Sequence, residues 1–351
     1  MRTSTLEETA LVSAIRRQTA LANRNNVTRT HAYLDFYRQH PEVHWAFLAH
    51  LVSRNGGWNM TDLKGEWLPV LMDKPSIQTY FWFLERCNWL IFYDAYPQLL
   101  LYAEMKRTGR DLTSLLRPLG VSSFMQGYWK AFWKDRDSAR LTRALIVNEQ
   151  QYIEQRVVRK PYTMHRIFST LAFLAQSAFS LNQVLFPFKE HAMDKRFQLI
   201  GTNVHDFPAV EQRIAIGKTL YSLLYQDEAR LERIRQFAFR IPHTGSRADY
   251  WPHLFTPGGR SLDNLAGNVK YQLRLQGAQL RTGRPKLYSP LLRNAWPDVE
   301  HAPADGVDWF RDPKWLEVVD EPANLPTIDS DAYIRTLHWI EYGVKLVSLF
   351  S

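Results

Sequence analysis

Apolar residues recur at intervals of three and four along most of the first 240 positions, which is the spacing of one helix face. Helix start and stop signals divide this stretch into segments. Pro41 is typical of a first helical turn, whereas Gly56 and Gly57 together are typical of a helix end. Pro97 is expected to begin another helix, which ends at Gly109. The helices predicted here are residues 5–22, 26–39, 41–54, 76–96 and 97–108.

The same pattern continues into the middle of the chain. Asp111, Ser122 and Asp137 stand where helix N-caps are expected. Two more amphipathic helices are predicted over residues 209–224 and from residue 228 to about residue 239.

Residues 167–188 contain no charged side chain and are long enough to cross a bilayer, for which about 20 residues suffice. Serine, asparagine and glutamine residues within the stretch make it too polar for a membrane span. We therefore expect a buried core helix there.

Alternation of apolar and polar residues, the mark of a half-buried strand, is scarce. Residues 270–277 are the best strand segment. Ten of the eighteen prolines lie from Pro242 onward, so that part should consist of short helices, turns and coil. The predicted fold is all-α: a multi-helix globule, orthogonal or bundle-like, with a loop-rich, Pro-rich C-terminal third.

The chain shows no repeat, low-complexity tract or Gly/Ser linker, which favours one compact domain over residues 1–351. Within it, residues 1–240 are the expected helical core and residues 241–328 a loop-rich subregion. Residues 329–351 are expected to form a C-terminal helix that docks on the core.

The formal charge of +9 and the pI near 9.5 favour an anionic partner. One cysteine excludes an intramolecular disulfide, which fits a reducing compartment. Acidic residues near the start, Glu7 and Glu8, are unlike a signal peptide. We expect a cytoplasmic protein, either free or held at the membrane surface, with no transmembrane span.

Histidine, asparagine and arginine are concentrated in residues 26–62. His40 and His44 have a spacing seen in zinc sites, but Pro41 separates them and no His-Glu-x-x-His motif is present, so no metal site is predicted. The glycines at 56 and 57 could let the backbone approach a ligand while Arg54 and Asn55 donate to it. The alternative is a plain helix joint, a C-cap followed by an N-cap at Asn59 or Thr61.

A second polar group follows Ile241. His243, Ser246 and Arg247 surround Gly245 in a pattern that suits a phosphate-binding loop, although it matches no standard phosphate motif. With Asp249 they also contain the residue types of a hydrolytic triad, but such closely spaced residues rarely reach its geometry. The ligand-binding candidates are Arg29, His44, His50, Arg54, Asn55, His243, Ser246 and Arg247.

Basic residues dominate positions 260–293, where Asp263 is the one acid and tyrosines are interleaved. The proposed anion surface comprises Arg260, Lys270, Arg274, Arg281, Arg284, Lys286 and Arg293. Such a strip could contact a nucleic-acid backbone, a phosphorylated ligand or an acidic membrane. The alternative is neutralisation by acids just downstream, namely Glu300, Asp305, Asp308, Glu317, Asp320 and Glu321.

Three stretches resemble one known family. They are Asn26-Val-Thr-Arg-Thr-x-Ala-Tyr-Leu-x-Phe-Tyr, the run from His40-Pro-Glu-Val-His-Trp to Asp62-Leu-Lys-Gly, and His243-Thr-Gly-Ser-Arg-x-x-Tyr. The family consists of Gram-positive bacterial proteins classified as a domain of unknown function, the DUF family numbered twenty-five fifteen. The resemblance covers nearly the whole chain and implies a bacterial intracellular protein. It brings no activity, cofactor or catalytic residue.

Three hypotheses follow. The first is a soluble helical protein that binds an anionic partner through its Arg-rich C-terminal third. The second is an enzyme acting on a phosphorylated or carboxylated small molecule in a polar pocket between residues 26–62 and residues 243–250. The third is a scaffold that recruits another protein through exposed tryptophans.

Overall fold

The computed structural model describes residues 2–160, 183–204, 207–259 and 271–350. This part of the chain is mostly helical. Its helices are α1 (Arg2–Ala22), α2 (Asn26–Gln39), α3 (His44–Asp62), α4 (Leu68–Leu71), α5 (Lys74–Thr108), α6 (Ser123–Asp135), α7 (Ser138–Ile153), α8 (Val210–Tyr225), α9 (Glu228–Arg240), α10 (Leu292–Ala295), α11 (Lys314–Asp320) and α12 (Ser330–Phe350). Single turns of 3-10 helix lie at Thr113–Leu116 and Arg247–Asp249, and a π-helical turn at Glu154–Val158 follows α7.

The helix caps are largely where the sequence predicts them. Asn25 forms a reciprocal capping box with Thr28 at the start of α2. Ser122 and Asp137 cap α6 and α7 by accepting backbone N–H groups in the first turn. Gly109 ends α5 in the left-handed conformation, with φ of 67°.

The prediction for the third helix is wrong at both ends. Pro41 lies in a turn, α3 begins at His44, and the helix continues through Gly56 and Gly57. A Cβ atom on Gly57 would lie 2.3 Å from Oδ1 of Asn26, so this glycine serves close packing instead of termination. The residues expected to cap the next helix are therefore inside α3.

The predicted break at Pro97 is also wrong, because α5 passes through it for 35 residues. Proline removes one N–H and the hydrogen bond to the carbonyl four residues earlier, here that of Tyr93. The flanking turns bury Phe92, Leu99 and Leu101 in the core, and this apolar packing outweighs the local loss.

The all-α prediction needs correction, since small sheets accompany the helices. Strands β1 (Gln183–Phe188), β2 (Gln198–Asn203) and β7 (Thr327–Asp329) form an antiparallel sheet in the order β1-β2-β7. Two shorter pairs join β3 (Phe255–Thr256) to β6 (Leu287–Tyr288) and β4 (Leu275–Gln276) to β5 (Gln279–Leu280). The last pair falls at the end of the predicted strand segment.

The core helix predicted over residues 167–188 is wrong for residues 183–188, which form β1. Residues 167–182 lie outside the described residues. Strand β1 pairs along its length with β2, Leu185 standing opposite Gly201. A Cβ on Gly201 would lie 1.8 Å from the Val184 carbonyl oxygen, so glycine permits the strands to approach. Within the described ranges, no helix is both long and apolar enough to cross a membrane.

Two apolar clusters hold these elements together. The larger joins α2, α3 and α5–α8 around residues such as Phe47, Phe92 and Ile146. The smaller surrounds Trp58 and Tyr250, and α12 contributes Tyr333, Leu337, Ile340 and Val344 to it. The C-terminal helix is therefore packed on the protein, whereas the division into one domain with three subregions stays a prediction.

Candidate functional site

The second half of α3 packs against the segment that follows α9, and this contact brings the two polar groups of the sequence together. Arg54 is fully buried there. Its guanidinium donates to the carbonyls of Ile241 and Pro242 at 2.8 and 3.3 Å and lies 4.5 Å from the centre of the Phe237 ring. Burial lowers the pKa of Arg54 to about 10, although the nearby carboxylate of Asp249 opposes this shift.

His243 occupies the centre of the contact. Its Nε2 lies 2.8 Å from Oδ1 of Asn26, and its Nδ1 lies 3.5 Å from Oδ2 of Asp249. The Asn26 amide donates to the Ser53 carbonyl at 2.8 Å, so its oxygen faces the imidazole and Nε2 must be the donor. Burial lowers the pKa of His243 to about 4, which makes it a neutral hydrogen-bonding residue at physiological pH.

Asp249 binds the turn that carries His243. Its carboxylate accepts from the N–H and hydroxyl of Thr244 at 3.0 and 2.6 Å and from the indole of Trp58 at 3.3 Å. Burial by itself raises the pKa of this carboxyl, but the charge of Arg54 and the hydrogen bond from Thr244 help to hold the pKa below its ordinary value. The turn is thereby fixed against α3.

Arg247 uses all of its guanidinium nitrogens. Nε and Nη2 contact the Asp62 carboxylate at 2.8 and 2.7 Å, Nη2 also reaches Asn59 at 3.1 Å, and Nη1 donates to Tyr250 at 2.6 Å. The Tyr250 hydroxyl donates in turn to Tyr333 on α12 at 3.0 Å. This network connects α3, the 3-10 turn and the C-terminal helix.

Arg29 and His50 have protein partners of their own. Arg29 is buried and pairs with Glu85 of α5 at 2.5 Å. Burial raises the pKa of Glu85, but Arg29 and His301 together outweigh this effect and leave that pKa below its ordinary value. His50 bonds the Thr30 carbonyl through Nδ1 at 2.9 Å, and burial lowers its pKa well below 6.5.

The remaining predicted ligand residues are engaged elsewhere. His44 lies 3.0 Å from the Tyr221 hydroxyl and stacks on Tyr225, and Asn55 bonds the backbone of β1. Ser246 donates to the Ser289 carbonyl at 2.6 Å, not to His243, so the triad geometry is absent. Among the residues described, no three His, Cys, Asp or Glu side chains are grouped to hold a metal.

The structure thus brings Arg54, His243 and Arg247 to one interface, as the polar-pocket hypothesis expects, but pairs them with protein groups. The acids that complete the pairs, Asp62 and Asp249, were not predicted as site residues. One signal could have found them, because several buried arginines require buried carboxylates for compensation.

The family model described as a protein of unknown function (DUF2515) matches residues 21–334. The chain belongs to this family. It is also similar to the uncharacterized protein YppC of Bacillus subtilis (strain 168), with 39% identity over 302 residues that cover 86% of this chain and 83% of YppC. No solved structure matches the chain. The resemblance inferred from the sequence motifs is confirmed.

The DUF2515 match includes the polar interface of α3 and the described part of the basic strip. In that strip, Arg260 and Lys270 lie outside the described residues. Arg274 is neutralised, since it pairs with Glu66 at 2.7 Å. Arg281, Arg284, Lys286 and Arg293 are exposed, and no carboxylate of the described residues lies within ion-pair distance of them.

Three of the six acids expected to neutralise the strip are engaged elsewhere. Asp305 pairs with Arg156 at 2.8 Å, Asp308 accepts from the backbone of Ser123, and Asp320 lies beside Arg140 and Arg143. Two exposed cations of the strip do contact the backbone: Arg281 donates to the Leu275 carbonyl and Lys286 to the Pro252 carbonyl. These contacts orient the side chains but leave their charge uncompensated.

Proposed function

We propose that this protein binds an anionic membrane surface through two adjoining features, the basic hairpin of residues 274–288 and the outer face of α12. The observation that carries the proposal is an apolar stripe on α12. Trp339 is 69% exposed, and Tyr342, Leu346 and Leu349 are 47%, 59% and 49% exposed. Their spacing of three, four and three residues places them on one helix face.

The stripe lies next to the cations. His338 of α12 lies 3.2 Å from the Gly277 carbonyl at the tip of the β4–β5 turn, and Arg335 is exposed one turn before Trp339. An exposed apolar helix face with aromatic residues, bordered by Lys and Arg, suits the boundary between lipid headgroups and acyl chains. Nucleic acid and phosphorylated ligands share the charge preference but do not account for the apolar stripe.

The enzyme alternative receives less support, because Arg54, His243 and Arg247 are buried and a ligand would have to break their internal pairs.

The scaffold alternative also relies on exposed tryptophans. Trp82 and Trp339 are the exposed ones of the described residues, and they lie on separate helices, α5 and α12. The second and third hypotheses stay predictions.

Co-sedimentation with vesicles tests the proposal. Vesicles of equal parts phosphatidylcholine and phosphatidylglycerol should bind the protein at low salt, and pure phosphatidylcholine vesicles should bind it far less. Each Lys or Arg near an anionic surface contributes about 1 kcal/mol. The triple variant Arg281→Gln, Arg284→Gln, Lys286→Gln should therefore bind on the order of a hundredfold more weakly.

Matched controls separate the surface from total charge. The variant Arg110→Gln, Lys130→Gln, Lys134→Gln removes three exposed cations elsewhere and should retain most of the binding. Trp339→Ser should weaken vesicle binding, whereas Trp82→Ser should not. Equal loss in both triple variants, or no binding to the anionic vesicles at low salt, would overturn the proposal. Salt-sensitive binding to duplex DNA that Trp339→Ser leaves unchanged would identify nucleic acid instead.

A further inference from the structure

A cavity of about 690 Å³ lies between the end of α1, the middle of α5 and the coil of residues 298–306. Its volume is in the range of small-molecule sites. The wall formed by α5 includes Trp89 and Tyr93, whose rings stack at 4.8 Å, and Tyr152 adds a third aromatic ring. The cavity is separate from the α3 interface and from the basic hairpin.

Asp94 lies deep in this cavity and is 6% exposed. Both hydrogen bonds to its carboxylate are made to Oδ2, by Gln98 at 3.0 Å and by Asn148 at 2.6 Å. Both donors are neutral amides, and no cation of the described residues lies within ion-pair distance. A buried carboxylate without a counterion is costly, and this cost raises the pKa of Asp94 to about 7.

Tyr93, the residue before Asp94, supplies a second acceptor. Because Pro97 has no N–H, the carbonyl of Tyr93 lacks its normal helical donor, and both residues line the cavity. Two donors on the facing wall are already used. Asn23 donates to the Trp89 carbonyl at 3.1 Å, and Thr19 donates to the Ile15 carbonyl at 2.9 Å. The deep end of the cavity therefore offers acceptors and calls for a ligand that donates.

The mouth of the cavity carries charged side chains of both signs. Arg16 and Arg24 are exposed there, and neither has a carboxylate of the described residues within ion-pair distance. Arg16 donates to the Pro118 carbonyl at 2.7 Å. Asp298 and Glu300 are also exposed at the mouth, and Asp298 accepts from Asn25 at 2.7 Å. Two arginines at the mouth, without an ion-pair partner among the described residues, and the Asp94 carboxylate at the base match the two ends of a zwitterion.

We propose that the cavity binds a small amino-acid-like zwitterion. Its ammonium group would contact Asp94 and the Tyr93 carbonyl, its carboxylate would face Arg16 and Arg24, and its apolar body would lie against Trp89. The acceptors at the base are the reason for proposing an ammonium group there. One ammonium group provides several hydrogen-bond donors and also the positive charge that Asp94 lacks.

Calorimetric titration of the full chain with three probes tests this site. Phenylalanine carries both charges, phenethylamine carries the ammonium group alone, and N-acetylphenylalanine carries the carboxylate alone. Phenylalanine should bind saturably, phenethylamine at least severalfold more weakly, and N-acetylphenylalanine without measurable heat. Absence of saturable phenylalanine binding would overturn the proposal.

Variants locate the two ends of the ligand. Asp94→Asn preserves shape, because the new amide oxygen can accept from Gln98 and Asn148, and it should abolish binding of both amines. Asp35→Asn, on the exposed face of α2, is the matched control and should bind like the unmodified protein. The pair Arg16→Gln, Arg24→Gln should weaken phenylalanine to the level of phenethylamine and leave phenethylamine unchanged. Undiminished phenylalanine binding by folded Asp94→Asn would contradict the assignment.

Discussion

Asn55 on α3 completes the hydrogen bonding of Leu185 on strand β1. Its amide nitrogen donates to the Leu185 carbonyl at 2.9 Å, and the Leu185 N–H donates to its amide oxygen at 2.9 Å. Leu185 belongs to the outer strand of the sheet, whose other side would otherwise present unpaired backbone groups. One side chain therefore does here what a neighbouring strand would do.

Replacing Asn55 by alanine should leave both backbone groups of Leu185 buried without partners. Each such group costs about 1–3 kcal/mol, so Asn55→Ala is expected to lower the free energy of unfolding by about 2–6 kcal/mol. Urea unfolding followed by circular dichroism would measure the change. Asn294→Ala, at an exposed position of α10, is the control and should change the free energy by less than about 0.5 kcal/mol. Similar midpoints for the two variants would contradict the role of Asn55.

Two helical glycines should respond in opposite directions to alanine. At Gly57 a Cβ would come within 2.5 Å of Nε2 of His243, so Gly57→Ala should destabilise by about 1–3 kcal/mol. At Gly127 in α6 a Cβ would meet nothing within 4 Å, so Gly127→Ala should stabilise by about 0.5–1 kcal/mol. Thermal unfolding of both variants measures the difference, and a gain at Gly57 would show that the polar contact is looser than described.

The Arg247–Asp62 pair should be costly to break, because removing one partner leaves the other charge uncompensated in a largely buried site. Arg247→Met is expected to destabilise by about 3–5 kcal/mol. Arg107→Met removes an arginine whose exposed pair with Glu104 is 2.5 Å long, and should cost about 0–1 kcal/mol. Chemical denaturation compares the two.

A double variant tests whether the two charges act together. Because Asp62→Asn removes the stranded charge, adding it to Arg247→Met should restore part of the lost stability, so the two effects should not add. Strict additivity would argue against the pairing.

Asp94 should make stability fall as pH rises. Its pKa is near 3.9 in an unfolded chain and about 7 in the folded protein, so the folded state binds the extra proton between these values. Stability contributed by the protonated form is present below pH 4 and lost as pH rises through 7. Asp94→Asn removes this dependence and should gain up to about 4 kcal/mol relative to the unmodified protein between pH 4 and pH 8.

Unfolding free energies at several pH values between 4 and 8 would measure that gain. Asp35→Asn, at an exposed carboxylate, should show no comparable slope. A constant difference between Asp94→Asn and the unmodified protein across this range would mean that Asp94 is ionised throughout.

The sequence by itself determined the helical part of the fold. Apolar spacing and capping residues such as Asn25, Ser122 and Asp137 act within a few positions of the chain, so their effect can be predicted locally. The same reasoning fails where a distant segment changes the local preference. From the sequence, Gly57 is predicted to end a helix. In the structure it lies inside α3, because Asn26 and His243 occupy the space where its side chain would be.

Tertiary structure alone decided which polar residues face each other. The clustering of arginine, histidine and asparagine in residues 26–62 indicated that polar groups are drawn inward. It did not indicate which acids would pair with the arginines: Asp249 lies far along the chain from Arg54, and Asp62 lies similarly far from Arg247. The strand of residues 183–188 likewise exists because β2 and Asn55 complete its hydrogen bonds. Pairing energy between distant groups depends on position in space, which periodicity along the chain does not encode.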